Sequence, residues 1–371
     1  MKIGITGASG FVGRNLQWRL REAGYTDVRL IAHQADDATL IEQLTGLDFV
    51  FHLAGVNRPQ DLVEFDDGNA DFSLRLAAIL GSLPGRPRIA FASSTQAVLD
   101  NVYGRSKRAA EDALMHYQRQ CRTPVYIFRL TNVFGKWCRP NYNSVVATFC
   151  HNIARDLPVT INDPSSPLRL VYIDDVIDQM LALLGPTPPE GGFVEVSPTY
   201  ETTVGQLAAT LRGFRQTRDG LLTDRVGTGL TRALYATYVS YLPTEAFSYE
   251  VPRHADPRGV FVEMLKTPDC GQFSYFTAGP GITRGEHYHH TKTEKFLVIK
   301  GTAHFGFRQI DTAETHEIVT RGGEGVIVET IPGWTHNITN IGDDELIVML
   351  WANEIFDRRR PDTTAMKVKA T

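Results

Sequence analysis

Tyr103 and Lys107 stand four residues apart, a spacing that on a helix puts both side chains on one face, a turn from each other. An ammonium beside a phenol favours the phenolate and lowers the Tyr pKa. A Tyr so placed can give a proton to a carbonyl, or take one from an alcohol, near neutral pH. Ser93 and Ser94 lie just upstream, where a hydroxyl at a strand end can hold the reacting oxygen. The same spacing occurs on ordinary surface helices, so its weight comes from what flanks it. A second reactive set lies late in the chain: His287, His289 and Glu294 close together, with His336 further on. Three imidazoles and one carboxylate converging inside a barrel suit Zn, Ni, Mn or Fe.

Several elements must position the first set. Residues 2–6 read as a short buried strand, followed by Thr6-Gly7-Ala-Ser-Gly10-Phe11-Val12-Gly13-Arg14 and a helical stretch, 15–23, that Gly24 closes. Gly7 permits a tight turn, Gly10 lets the backbone approach a pyrophosphate, and Gly13 packs helix on strand. The helix start offers N–H groups and a positive dipole end to that anion. Strand, Gly-rich turn and helix in this order predict a dinucleotide site. A second strand, 28–32, ends at His33, where NAD sites usually place an acid for the ribose 2′-OH. His33, together with Arg14 just inside the first helix, favours a 2′-phosphate and hence NADP(H). Asp36 and Asp37 follow and either face the ribose or cap the next helix. The strand 48–55 ends, after Leu53, in the small residues Ala54 and Gly55, which would let a cofactor pass close. Strand 88–92 delivers Ser93 and Ser94 to the carboxyl edge of the sheet, where open α/β folds bind ligands. Strand 125–130 leads into Thr131-Asn132-Val-Phe-Gly135.

At 371 residues the chain is long enough for two domains. A net charge of -4 offers no basic surface for nucleic acid or an anionic membrane. The four cysteines, Cys121, Cys138, Cys150 and Cys270, form no CxxC pair, which suits a reducing compartment. The chain opens directly on a strand, with no signal-peptide pattern and no membrane-length apolar run, so a cytoplasmic location is expected.

Taken together, Gly7-x-x-Gly10-x-x-Gly13, His52-Leu-Ala-Gly55, Ser93-Ser94, Tyr103-x-x-x-Lys107, Arg129-x-x-Asn132-x-x-Gly135 and Val171-Tyr-Ile-Asp174-Asp175-Val176 resemble the extended short-chain dehydrogenase/reductases that act on nucleotide sugars. The resemblance implies a doubly wound Rossmann domain with Tyr103 as proton donor to a ketone and Lys107 holding the nicotinamide ribose. It places Ser94 in the carbonyl-binding slot, with Ser93 and Thr95 as close neighbours. It also implies that Asn132 contacts a sugar-nucleotide diphosphate, with Arg169 a further candidate for that anion or else a surface Arg. Asp174-Asp175 is expected to be a structural N-cap. The run Lys136-Trp-Cys-Arg139-Pro-Asn-Tyr142-Asn falls where these enzymes build the sugar-nucleotide cleft. There an aromatic ring could stack on uracil and a cation such as Arg139 hold phosphate, or the run is a plain loop.

Helices are expected at 204–214 and 230–241, with Tyr235, Tyr238 and Tyr241 as packing residues. The Pro-rich stretch 246–258 reads as a linker. From Gly259 short apolar strands (260–266, 273–276, 295–299, 325–329, 346–350) alternate with Gly turns, the pattern of a small antiparallel barrel. The expected organisation is therefore 1–245, linker 246–258, and 259–371.

Gly281-x5-His287-x-His289-x4-Glu294-x6-Gly301 and Gly325-x7-Gly333-x2-His336-x3-Asn340 resemble the two motifs of the cupin family, apart from Pro332, which sits directly before Gly333. That resemblance implies an all-β cupin barrel with a divalent metal, zinc first, on His287, His289, Glu294 and His336, in a catalytic or a structural role. The pairing of the two families resembles bacterial enzymes of capsule and O-antigen precursor synthesis. It implies a UDP-sugar substrate, NADPH and a homodimer. The cupin would epimerise C3 of a UDP-4-keto-6-deoxy-N-acetylhexosamine, and the reductase would then reduce C4. His304, His316, Tyr288 and the metal ligands are all candidates for the base. The alternative is a 4-epimerase or dehydratase carrying a non-catalytic sugar-binding or dimerising barrel.

Overall fold

The structure, a computed structural model, describes residues 1–55, 70–187, 189–256, 259–262, 265, 271–354 and 359–369. Cys270 and residues 263, 264 and 266 of the expected strand 260–266 lie outside them.

Within the described residues the elements run β1 (Ile3–Thr6), α1 (Phe11–Glu22), β2 (Val28–Ile31), α2 (Asp37–Leu44), β3 (Phe49–His52), α3 (Phe72–Ser82), β4 (Arg88–Ser94), α4 (Val102–Cys121), β5 (Val125–Leu130), β6 (Asn132–Phe134), α5 (Val145–Ile153), β7 (Pro167–Tyr172), α6 (Ile173–Ala182), β8 (Gly192–Val194), β9 (Thr199–Thr203), α7 (Val204–Gly220) and α8 (Gly229–Val239). Then follow β10 (Ser248–Glu250), β11 (Arg253–Asp256), β12 (Gly259–Val262), β13 (Gln272–Ala278), β14 (Thr283–Tyr288), β15 (Glu294–Lys300), β16 (Thr302–Gln309), β17 (Thr315–Arg321), β18 (Val326–Glu329), β19 (Trp334–Asn340), β20 (Leu346–Ala352) and β21 (Thr364–Ala365). The chain divides into two compact units, 1–144 with 168–202 and 145–167 with 203–371.

The first unit holds a parallel sheet in the order β2-β1-β3-β4-β5-β8. The order reverses at β1, with β2 on one side and β3 on the other, and the crevice beyond the carboxyl ends of β1 and β3 is where open sheets of this kind generally take ligands. The central strands are continuous apolar runs, buried on both faces as a parallel sheet requires. Leu40, Leu44, Leu76, Leu80, Phe91 and Leu114 join a single core with them.

The second unit has two five-stranded sheets, β10-β18-β15-β20-β13 and β17-β16-β19-β14-β21. Phe296 of the first sheet meets Phe305 and His336 of the second, so the core of this unit lies between them. Two expectations are corrected here. The stretch expected as a linker supplies β10, whose Tyr249 pairs with Ile327. Phe247 and Val251, two residues to either side of Tyr249, fall on its face of the strand and are buried, and an edge strand tolerates the nearby prolines that suggested a linker. The boundary expected at 245 also moves, because α7 and α8 belong to the barrel's unit. Arg218 of α7 and Tyr235 of α8 both bond to Glu329 of β18, beside Lys295 of β15.

Candidate active site and metal centre

The crevice expected to take a dinucleotide is built from β1, the Gly loop and the end of β3. Gly7 has φ +67°, and a Cβ there would lie 2.5 Å from the Ala54 nitrogen. A Cβ on Gly13 would lie 2.3 Å from the Gly7 carbonyl oxygen. Among the described residues a Cβ on Gly10 would meet only that oxygen, at 3.2 Å, so these residues leave the front of the loop open. The helix α1 starts at Phe11 and Val12, four residues before the expected start, and no side chain caps it. Its first N–H groups thus face the loop as an anion site, so these residues fit a dinucleotide pyrophosphate.

The network behind the loop was not foreseen. The Thr6 hydroxyl accepts from the Leu53 and Ala54 N–H groups, both at 3.1 Å. With its acceptor sites used, it donates to His52 Nδ1 at 2.8 Å, and His52 Nε2 then donates to Ser73 at 2.8 Å. Burial, with Lys107 a lesser cause, holds the His52 pKa down to about 3, so the ring is neutral. This chain locks Leu53 and Ala54 against Gly7.

At the end of β2, His33 is exposed and meets the Phe72 ring edge-on. Asp36 caps α2 by accepting from the Thr39 N–H at 2.8 Å, and Asp37 pairs with Arg75 at 2.5 Å. Both acids are therefore occupied as structural groups. The Arg14 guanidinium lies 5.3 Å over the Trp137 ring, and burial lowers its pKa. Arg75, distant in sequence, brings a second cation to this edge, and no local pattern announced it.

β4 carries Ser93 and Ser94 to the sheet edge, and the structure separates their roles. Ser93 is buried and donates to Glu111 at 2.5 Å. Glu111 is in turn gripped by Arg129 at 2.6 and 3.0 Å. Ser94 is half-buried, and its hydroxyl hydrogen-bonds the Tyr103 phenol. The start of α4 is stitched to the turn after Ser94. Asn101 caps the helix by accepting from the Gly104 N–H at 2.7 Å, and Arg108 donates to the Ala97 carbonyl at 2.8 Å. Gly104 permits this approach, since a Cβ there would lie 2.4 Å from the Gln96 carbonyl and 2.5 Å from that of Leu99.

The expected effect of Lys107 on Tyr103 is corrected. Burial pushes the phenol above its ordinary value, opposed only by the Ser94 hydrogen bond. Lys107 Nζ lies 5.9 Å from the Tyr103 ring centroid, donates to the Ala92 carbonyl at 3.4 Å, and sits 5.3 Å over Phe91. Its own pKa is pulled down to about 8 by burial, against the opposing Glu111 charge. Desolvation outweighs a Coulomb effect across that gap.

Asn132 and Thr131 both donate to the Arg169 main-chain carbonyl, at 3.1 and 2.8 Å, so Asn132 and Arg169 are neighbours on an exposed edge. Arg139 is exposed and stacks over Tyr142 at 5.3 Å. Lys136, in the same loop, is instead buried in an ion pair with Asp174 at 3.0 Å. Asp174 and Asp175 lie in the first turn of α6, whose N-cap is Tyr172 without a side-chain cap, so the expected Asp N-cap is not formed.

In the barrel, His287, His289, Glu294 and His336 present ligand atoms all within 4.8 Å of one another. His287 and His336 are cross-strand partners on β14 and β19, and Glu294 opens β15 in the opposite sheet. His289 lies just past the end of β14. A bulge at Gly285, not simple strand alternation, aims His287 inward. His289 Nε2 is 3.2 Å and His336 Nε2 3.5 Å from Glu294 Oε2. Tetrahedral bonds of ~2.0–2.1 Å give ligand separations of ~3.3 Å, so this donor set fits a zinc-sized cation. Burial, with His336 and His289 as lesser causes, holds the His287 pKa down to about 3. Burial also lowers His336. Burial alone would raise Glu294, but His289, His336 and Lys292 hold it well below its ordinary value. Neutral imidazoles and an ionised carboxylate are the forms that ligate. His304 alternates away from the inward Phe305 and Phe307 and pairs with Glu317, so it leaves the set of candidate bases.

Residues 3–192 match the NAD dependent epimerase/dehydratase family, and residues 254–364 the polysaccharide biosynthesis C-terminal domain. The chain belongs to the NAD dependent epimerase/dehydratase family. It is 55% identical, over 99% of both chains, to UDP-2-acetamido-2,6-beta-L-arabino-hexul-4-ose reductase of Pseudomonas aeruginosa. It is also similar to the capsular polysaccharide assembling protein CapF of Staphylococcus aureus, with a TM-score of 0.67 and 41% identity over 99% of this chain and 100% of that one. WbmF of Bordetella bronchiseptica, solved with NAD+ and UDP, shares the fold, with a TM-score of 0.52 and 21% identity over 58% of this chain and 77% of WbmF. Among the described residues no helix is long and apolar enough to cross a membrane.

Proposed function

We propose that the protein is a bifunctional nucleotide-sugar enzyme of the CapF kind, a UDP-2-acetamido-2,6-dideoxy-L-talose reductase. Its barrel epimerises C3 of a UDP-4-keto-6-deoxy-N-acetylhexosamine, and its Rossmann unit reduces the C4 ketone. The observation that carries this reading is the Ser94–Tyr103 pair beside an open dinucleotide crevice, in a chain 55% identical throughout to a UDP-hexulose reductase.

In this reading Ser94 holds the C4 oxygen and Tyr103 gives it a proton, which solvent then replaces. Burial keeps the phenol protonated at neutral pH, as an acid requires. Lys107 holds the nicotinamide ribose, Gly7, Gly10, Phe11, Val12, Gly13, Leu53 and Ala54 line the dinucleotide, and Arg14 and His33 select a 2′-phosphate. NADPH, when bound, supplies the hydride that adds to C4. Asn132, Arg139 and Arg169 hold the UDP diphosphate.

The order of the two reactions follows from carbonyl chemistry. The C4 ketone acidifies the C3 hydrogen, so a base removes that proton and it returns on the other face. Reduction ends the activation, so epimerisation comes first. A divalent cation, zinc first, on His287, His289, Glu294 and His336 would supply Lewis acidity beside the C4 oxygen or brace the barrel. The product is UDP-N-acetyl-6-deoxy-L-talosamine, which leads to UDP-N-acetyl-L-fucosamine for capsule or O-antigen. The enzyme acts as a cytoplasmic homodimer, without nucleic acid or membrane partners.

The test is NADPH absorbance with the 4-keto substrate, alongside product NMR. Stoichiometric oxidation to the 6-deoxy-talo product is expected. A redox-neutral conversion with no net NADPH loss contradicts the reductase reading and favours a 4-epimerase.

A further inference from the structure

The turn that carries His289 is held by a residue from the far end of the chain. Asp362 stands 73 positions later, and its main-chain carbonyl accepts a hydrogen bond from His289 Nδ1 at 2.5 Å. Its carboxylate accepts from three successive backbone N–H groups, His290 at 2.9 Å, Thr291 at 2.6 Å and Lys292 at 2.7 Å. The Thr291 hydroxyl adds a fourth bond at 2.9 Å. The tail around Asp362 is itself anchored. β21 pairs with β14, the Met366 N–H donates to the Glu286 carbonyl at 2.8 Å, and Arg308 Nε donates to the Val368 carbonyl at 2.7 Å.

A carbonyl can only be met by an N–H, so this contact puts the His289 proton on Nδ1. Nε2 is then left with its lone pair toward the cluster, where it lies 3.2 Å from Glu294. Among the described residues His336 has no such support, since its Nδ1 is buried there without a partner. An imidazole ligand whose second nitrogen is held by an outer acceptor has its ring orientation and basicity set before the cation arrives.

We infer that Asp362 is a positioning residue of the metal centre, clamping the 289–292 turn and selecting the His289 tautomer whose Nε2 faces the cation. This rests on the reading of His287, His289, Glu294 and His336 as a metal site. Four hydrogen bonds converge on one carboxylate, more than strand closure at this turn demands.

The test is zinc affinity of the full chain, by competition with a chromophoric chelator, in parallel with thermal unfolding. Asp362→Asn places an amide N–H against backbone donors, and zinc affinity is expected to fall about 10–100-fold. Asp362→Glu keeps the charge but displaces the oxygens by one methylene, and is expected to lose about three- to tenfold, a share of that range. It serves as the test if D362N does not fold. Asn340→Ala is the control. It removes bonds to the Ala278 and Asp344 carbonyls at the far end of β19, and should lower Tm while leaving zinc affinity unchanged. D362N or D362E binding zinc as tightly as the parent overturns the inference, and so does N340A weakening zinc equally. A parent chain that takes up neither zinc nor cobalt, nickel or manganese removes the metal reading itself, and the inference with it.

Discussion

Gly104→Ala tests whether the seam between α4 and the turn after Ser94 sets the position of Tyr103. The new Cβ would stand 2.4 Å from the Gln96 carbonyl oxygen and 2.5 Å from that of Leu99. Both neighbours are backbone, so neither can swing aside as a side chain would. Restoring an ordinary contact requires α4 to retreat by about 1 Å, and Tyr103, the preceding residue, moves with it. A misplacement of about 1 Å at a reacting group costs about 10²-fold in rate. Overpacking costs ~1–3 kcal/mol of stability, offset by ~1 kcal/mol from replacing a helical Gly with Ala. The variant should therefore stay folded while kcat drops about 10²-fold. The assay is NADPH consumption at saturating 4-keto sugar, with Tm measured on the same sample. A kcat within about threefold of the parent, short of the expected loss, would refute the idea that this seam positions the phenol.

Other consequences are smaller in scope. Lys107, its pKa lowered to about 8, is charged below that pH and loses its charge as pH rises through it. NADPH affinity, followed by fluorescence, should weaken between pH 7 and 9 in the parent and not in K107M. Burial alone would raise the Glu329 pKa, but Lys295 and Arg218 together hold it below its ordinary value. Its stabilisation is thus present above the usual carboxyl range and is lost as pH falls below that range through the lowered folded pKa. Glu329→Gln strands two buried cations, so urea unfolding should report a loss of about 3–5 kcal/mol at neutral pH and a flatter acid limb. Chelator dialysis should lower Tm, one equivalent of zinc per chain should restore it, and H289A should abolish that response.

How much of this was legible in the chain depended on the range of the signal. Gly7-x-x-Gly10-x-x-Gly13 and Tyr103-x-x-x-Lys107 work within one turn or one loop, so they could be read from their spacing together with the strands and turns that flank them. The motifs around His287 and His336 were legible for the same reason, although the aim of His287 depends on a bulge at Gly285 that alternation would have missed. Side chains that owe their role to distant partners were not. Whether Ser93 or Ser94 meets Tyr103 depends on Glu111 and Arg129 capturing Ser93. Lys136 looked like a phosphate ligand until Asp174 claimed it. Tyr235 read as packing, yet its hydroxyl joins Glu329 in a buried ion cluster formed only when α8 lies on the barrel. The Tyr103 pKa went the other way because spacing reports proximity to Lys107 and says nothing of burial.

The measurement that most directly probes the two-reaction proposal is a single incubation of the enzyme with NADPH and a UDP-4-keto-6-deoxy-N-acetylhexosamine in D2O, read by absorbance, mass and NMR. The proposal predicts NADPH loss together with one deuterium at C3 of the product. NADPH loss without deuterium would contradict a catalytic barrel, and deuterium without NADPH loss would contradict the roles given to Ser94, Tyr103 and Lys107.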